Sequence, residues 1–172
     1  MVIVRKEKFN SEKSIQYISD KAEKTENKSG MEDLKLGAAI DIGTTSIAVG
    51  LFDMENEVLL GNLTQTNCQT KFGSDVMMRI MHCTNGKEQL LHDMLIEQIE
   101  NIITVIIEQN ISEKYKSYVV ERMTVVGNTT MCHIFLNRDV TGLSGAPFSM
   151  AYKGIANVNS QEAGFKIYNI SE

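Results

Sequence analysis

Beyond residue 36 the chain alternates short apolar runs with turn-forming residues, and the period of that alternation changes along its length. Residues 38–42 form a first apolar run, Gly43, Thr44 and Thr45 a turn, and residues 46–52 a second run with small residues at Ala48 and Gly50. Residues 53–57 are polar and turn-like, and apolar character returns over 58–66. Three strands joined by tight turns predict an antiparallel meander. After Gly73 the period becomes helical. Ser74 is a candidate cap for a helix in which Val76, Met77, Ile80 and Met81 recur, ended by Asn85-Gly86. A longer helix is predicted over 88–110, with Leu91, Leu95, Ile99, Ile102 and Ile106 on one stripe and Glu97, Gln98, Glu100 and Asn101 largely away from it. Both helices are expected to pack on the sheet.

A fourth strand is predicted over 119–126, interrupted by Glu121 and Arg122, and Gly127-Asn128-Thr129-Thr130 then turns into a short helix through Leu136. The segment from Asn137 is irregular, with a last short strand predicted over 165–170. The resulting order of strand, strand, strand, helix, helix, strand, helix describes an α/β layer domain. Residues 1–35 carry only scattered apolar side chains (Phe9, Ile15, Tyr17, Ile18) and read as a linker or flexible arm. The expected organisation is an arm over 1–35, a folded unit over 36–150, and over 151–172 the start of a further lobe or a C-terminal tail.

Composition narrows the chemistry. With 172 residues, 42% of them hydrophobic and 23% charged, the chain suits one well-packed core. Of 17 basic and 22 acidic side chains, eight and seven fall in residues 1–35, leaving nine against 15 in the remainder. An acidic domain offers no electrostatic footprint for nucleic acid or an anionic membrane, so an anionic ligand must be held by local geometry. The apolar run at 102–107 is far short of the roughly 20 residues that span a bilayer. Cys68, Cys83 and Cys132 are odd in number and widely spaced, which points to free, at least half-buried thiols in a reducing cytoplasm. Neither His82 beside Cys83 nor His133 beside Cys132 has metal-ligand spacing, and no iron-sulfur cluster is expected here.

The most informative residues are Asp41-Ile42-Gly43-Thr44-Thr45, a carboxylate at a strand end followed by a turn of glycine and two hydroxyl residues. Such a turn can aim backbone N–H groups and hydroxyls at phosphate oxygens, while Asp41 can hold magnesium through water. The plainer alternative is a tight turn capped by Asp41. Residues 125–131 repeat the logic: a buried strand ends in Gly127, Asn128, Thr129 and Thr130, which open a helix whose N-terminus attracts anions or is merely capped. If the two strands are adjacent, both turns share one crevice. Asp75 and Arg79 lie four apart, as a solvated ion pair or with Asp75 supplied to the crevice as a second catalytic carboxylate beside Asp41. Met131 and His133 read as packing residues.

The stretch GAAIDIGTTSIAVGLFD at 37–53 resembles the first phosphate-binding hairpin of the actin, sugar-kinase and Hsp70 superfamily. GSDVMMRI at 73–80 and VGNTTMCH at 126–133, followed by Ala146, Pro147 and Phe148, are similar to the middle region of the ATP-dependent reductive activators of corrinoid proteins. The resemblance spans about residues 37–150. It implies an RNase H-like, actin-like ATPase domain with a mixed sheet, in which the meander is joined by a parallel strand. In that family Asp41 with Gly43, Thr44 and Thr45 would meet the phosphates and magnesium of ATP, and Gly127, Asn128, Thr129 and Thr130 would line the same cleft. It further implies coupling of ATP hydrolysis to reduction of cob(II)alamin in a corrinoid protein. The family's ferredoxin domain and larger C-terminal lobe are not found in these residues, so the electron donor and the rest of the cleft are expected elsewhere. Two other readings remain: an interaction domain that recognises a corrinoid protein or a second copy of itself, and a sugar-kinase-like phosphotransferase with Asp75 as base.

Overall fold

In the computed structural model the described residues are 34–111, 118–151, 154–158 and 162–165. They form a four-stranded mixed sheet in the order β3-β2-β1-β4. The chain runs through β1 (Leu34–Ile42), β2 (Ser46–Asp53) and β3 (Val58–Thr66), then α1 (Val76–His82) and α2 (Glu88–Asn110), then β4 (Tyr118–Gly127) and α3 (Thr129–Phe135). The meander is present, and β4 pairs parallel to β1 on the side away from β2. This is the expected mixed α/β architecture.

Alternation fixes which face is buried. In β1, Leu34, Leu36, Ala38, Ile40 and Ile42 are buried, whereas Lys35, Ala39 and Asp41 are exposed. Across the pairing, Ile40 opposes Val49 and Ile42 opposes Ile47, so β2 adds its own buried side chains to the same face. β1 starts at Leu34 and so takes in two residues that composition assigned to the arm. Residues 1–33 lie outside the described residues. At the far end of the hairpin formed by β2 and β3, Asp53 Oδ1 accepts from the amides of Glu55 and Asn56 at 2.9 and 3.0 Å, which closes the turn.

α2 supplies the other half of the core. All five stripe residues are buried, and His92, Ile96, Ile103 and Ile107 widen the apolar face. The helix packs on β3 and β2 and touches α3. At about 1.5–3 kcal/mol for each fully buried Leu or Ile, this helix is the largest single apolar contribution to the fold. Gln98 is an exception on the polar face: its Oε1 accepts from the Cys68 amide at 2.8 Å and its Nε2 donates to the Thr66 carbonyl at 2.8 Å. It therefore ties α2 to the end of β3.

α1 departs from expectation in three ways. Its cap is Asp75, whose side chain accepts from the Met78 amide at 3.0 Å, and not Ser74. Met77 and Met81, expected on the buried stripe, are exposed, while Arg79 is fully buried beside Ile80. The helix also packs chiefly against α3 and the turns on either side of it, rather than across the sheet. Arg79 turns inward because backbone carbonyls await it there. α1 leads into a turn over 83–87, where Asn85 and Gly86 leave helical geometry, Gly86 at φ 79°. Of the strand expected over 165–170, only Phe165 is described; it lies in no strand and its ring packs near Phe135 at 6.0 Å between centroids. The rest of that expectation falls outside the described residues. Among the described residues no helix is long and apolar enough to cross a membrane.

Candidate functional site

Parallel pairing of β1 with β4 sets Ile42 opposite Gly127, so the two strands end side by side and their turns face each other. Glycine permits tight packing at both ends, between the two strands at Gly127 and within the β1–β2 turn at Gly43. A Cβ on Gly127 would sit 2.7 Å from the Ile42 carbonyl oxygen, and one on Gly43 would sit 2.7 Å from the Ser46 carbonyl oxygen. The turns also touch directly: Asn128 Nδ2 donates to the Thr44 hydroxyl at 3.0 Å. The same side chain caps α3, its Oδ1 accepting from the Met131 amide at 3.0 Å. Asn128 thus performs both the simple capping role and the bridging role that the crevice requires.

The first turn is held from behind by the segment between β3 and α1. Asn67 Nδ2 donates to the Gly43 carbonyl at 2.8 Å, and the Asn67 amide donates to the Thr45 carbonyl at 2.8 Å. Arg79 Nη2 donates to the Thr44 carbonyl at 3.1 Å, and its Nη1 to the Gly73 carbonyl. All three turn carbonyls are therefore engaged. In a trans peptide the N–H points opposite to the C=O of the same unit. Capture of the Gly43 and Thr44 carbonyls consequently turns the Thr44 and Thr45 amides away from this backing segment. Neither amide donates to another group among the described residues. Two successive amides facing outward are donors of the kind that can meet an anion.

Asp41 is the last outward-facing residue of β1 before the turn, exposed and in register with Val126. Its carboxylate opens onto a shallow concavity of about 370 Å³ on the open face of the sheet, lined in part by Ala48, Asn62, Thr64, Thr124 and Val126. Among the described residues it has no hydrogen-bond or ion-pair partner. A lone solvated carboxylate suits magnesium, which dehydrates reluctantly and keeps several waters.

The structure thus brings together Asp41, Gly43, Thr44, Thr45, Gly127 and Asn128. Thr129 is exposed in the first turn of α3. Thr130 points inward at 6% exposure and does not line the crevice. Among the described residues Asp75 is linked to the first turn only through the helix it caps. The solvated ion pair expected between Asp75 and Arg79 is not formed, because Arg79 is spent on carbonyls inside the fold. Met131 and His133 are buried, and His133 Nδ1 lies 2.7 Å from the Thr129 carbonyl, to which it must donate.

Two contributors were not singled out from the sequence, and a third was expected in another role. Asn67 and Gln69 are fully buried in a polar stretch that looks like loop, with Gln69 Nε2 donating to the Leu91 carbonyl at 2.7 Å. Arg79 is the third. Burial holds its guanidinium below the ordinary arginine value, partly offset by Cys68, Asp75 and Cys83. Its one sequence signal is its position beside Ile80 in a short helix otherwise rich in methionine.

Residues 36–171 match the family described as the RACo middle region. RamQ of Eubacterium limosum, a corrinoid activation enzyme, is 34% identical over 114 residues, which make up 65% of this chain and 19% of the relative. A solved reductive activator for corrinoid, iron-sulfur protein is 31% identical and superposes with a TM-score of 0.69 over 81% of this chain and 22% of its own. The chain therefore spans about a fifth of the length of each of these relatives.

Proposed function

The chain belongs to the RACo middle-region family, and from that membership and the two facing turns we propose that it is the phosphate-binding part of an ATP-dependent activator of a corrinoid protein. The observation that carries this reading is the pair of outward amides at Thr44 and Thr45, bridged to the start of α3 by the Asn128–Thr44 hydrogen bond. Amide dipoles and a divalent cation can hold a polyphosphate where the protein as a whole is acidic. Thr44 and Thr45 would donate to phosphate oxygens, Thr129 and the N-terminus of α3 would face them from the other side, and Asp41 would hold magnesium through water. Gly127 lets the two strand ends come close enough for one ligand to meet both, and Gly43 keeps the first turn tight.

Two relatives bear names that point to corrinoid activation, and the partner proposed is accordingly a corrinoid protein. ATP binding and hydrolysis would supply the free energy for an uphill electron transfer to cob(II)alamin, with electrons from a ferredoxin-type donor. A larger lobe, supplied from outside these residues, would close over the adenosine and exclude water.

Backbone NMR of the chain during titration with magnesium-ATP tests this. Saturable shifts of the Thr44, Thr45 and Thr129 amides in the millimolar range are expected, with affinity weakened by Asp41→Ala. Absence of any saturable response at these amides, or a response indifferent to Asp41→Ala, overturns the assignment.

A further inference from the structure

A buried arginine with no carboxylate partner is costly, because a charge removed from water needs compensation. Arg79 is fully buried, its two terminal nitrogens donate to main-chain carbonyls, and its Nε makes no hydrogen bond. An apolar residue of similar volume at this position would avoid that cost. Its two carbonyl partners are informative: Gly73 precedes α1, and Thr44 belongs to the first turn of the crevice, 35 residues earlier in the chain. The fork of the guanidinium spans the two, which a single ammonium group cannot do in the same geometry.

Resting on the assignment of this crevice to a nucleotide polyphosphate, we propose that Arg79 is the positioning residue of the phosphate turn, fixing the Thr45 amide outward from within the core. Drawing the Thr44 carbonyl inward dictates the orientation of the whole Thr44–Thr45 peptide unit, so the Thr45 N–H faces the ligand before the ligand arrives. Asn67 does the same for the Gly43–Thr44 unit through the Gly43 carbonyl. Arg79 also places a positive charge on the core side of this turn. The orientation is thereby set in advance of binding, and little peptide reorganisation is left for the ligand to drive. Because Arg79 is itself part of α1, any movement of α1 would be felt at the same peptide.

The test compares the wild-type chain with Arg79→Lys by NMR titration with magnesium-ATP and, separately, with magnesium-tripolyphosphate. Arg79→Lys keeps the charge and loses the fork. The folded variant is expected to bind both ligands on the order of tenfold more weakly. The Thr45 amide response should shrink selectively while the Thr129 response persists, a pattern that general loosening of the fold does not produce. Equal affinity and an unchanged Thr45 response in the variant overturn this inference and leave the assignment of the crevice standing. Absence of any ligand response in the wild type overturns both. If Arg79→Lys does not fold, the decisive measurement is scalar coupling across the hydrogen bond between the Arg79 guanidinium and the Thr44 carbonyl in the wild type. Its absence in the free and ATP-saturated states overturns the inference, and its presence in both supports it.

Discussion

Asn128 and Thr44 are joined side chain to side chain at 3.0 Å, and this bond ties together the turns that follow β1 and β4. Asn128 uses its two amide atoms for two separate tasks, the oxygen for the helix cap and the nitrogen for Thr44. The tasks can be separated by substitution. Asn128→Asp keeps the acceptor that caps α3 and replaces the donor to Thr44 with an acceptor that the Thr44 hydroxyl can meet as donor, so stability should change little while an added negative charge weakens magnesium-ATP binding. Asn128→Ala removes both and should cost about 1–2 kcal/mol in urea unfolding. Equal stability of the alanine and wild-type proteins would show that the cap carries no weight.

Gly127→Ala should be more damaging than its size suggests. The new methyl group would lie 2.7 Å from the Ile42 carbonyl oxygen, a main-chain atom that cannot swing aside as the end of a flexible side chain would. The expected result is a loss of roughly 1–3 kcal/mol, with faster amide exchange confined first to the ends of β1 and β4. Unchanged exchange at those ends would contradict the steric account.

The Cys83 thiol is pushed up to about 11 from 9.0, chiefly by burial and further by Glu88, against a small opposing effect of Arg79. The sign follows from the unfolded chain ionising first. Below pH 9 both states hold the proton and the fold loses nothing. Between pH 9 and about 11 the unfolded state releases its proton while the folded state keeps it, so stability falls as pH rises. Cys83→Ala should flatten this part of the stability profile, whatever its effect at neutral pH. Alkylation at pH 8 should be correspondingly slow at this residue. A wild-type profile identical in slope to that of the variant would refute the account.

Ile99 is fully buried at the centre of α2, among Leu95, Ile102 and Ile103. Ile99→Ala should cost about 2–5 kcal/mol, depending on how far the cavity collapses. Thermal or denaturant unfolding reads this directly, and a cost below that of a surface substitution would mean that α2 is not the keystone of the core.

Where periodicity alone decides the outcome, the elements could be read from the residues. β1 and β2 alternate, and α2 carries an apolar stripe from Leu91 to Ile107, so their buried faces follow from repeated spacing, although β1 begins at Leu34, ahead of the apolar run at 38–42. The turn at Gly43 and the cap at Asn128 could be seen as a type of chemistry, although only the parallel pairing of β1 with β4 makes them neighbours. α1 was misread because seven residues give too few repeats to fix a face, and a buried arginine outweighed two methionines. Asn67 and Gln69, which no pattern singles out, and Arg79, expected in a solvated pair with Asp75, share one reason. Each is buried to satisfy a main-chain carbonyl far away in sequence, and no local pattern announces a distant acceptor.

The bond that bridges the crevice joins residues 84 positions apart. Neither wall can therefore be assembled from a local piece of chain, since the two meet only after a meander, two helices and a parallel crossover have condensed. Competence to hold a ligand there is then all or nothing with the global folding transition: a polypeptide cut ahead of the second wall would lose the whole clasp rather than half of it.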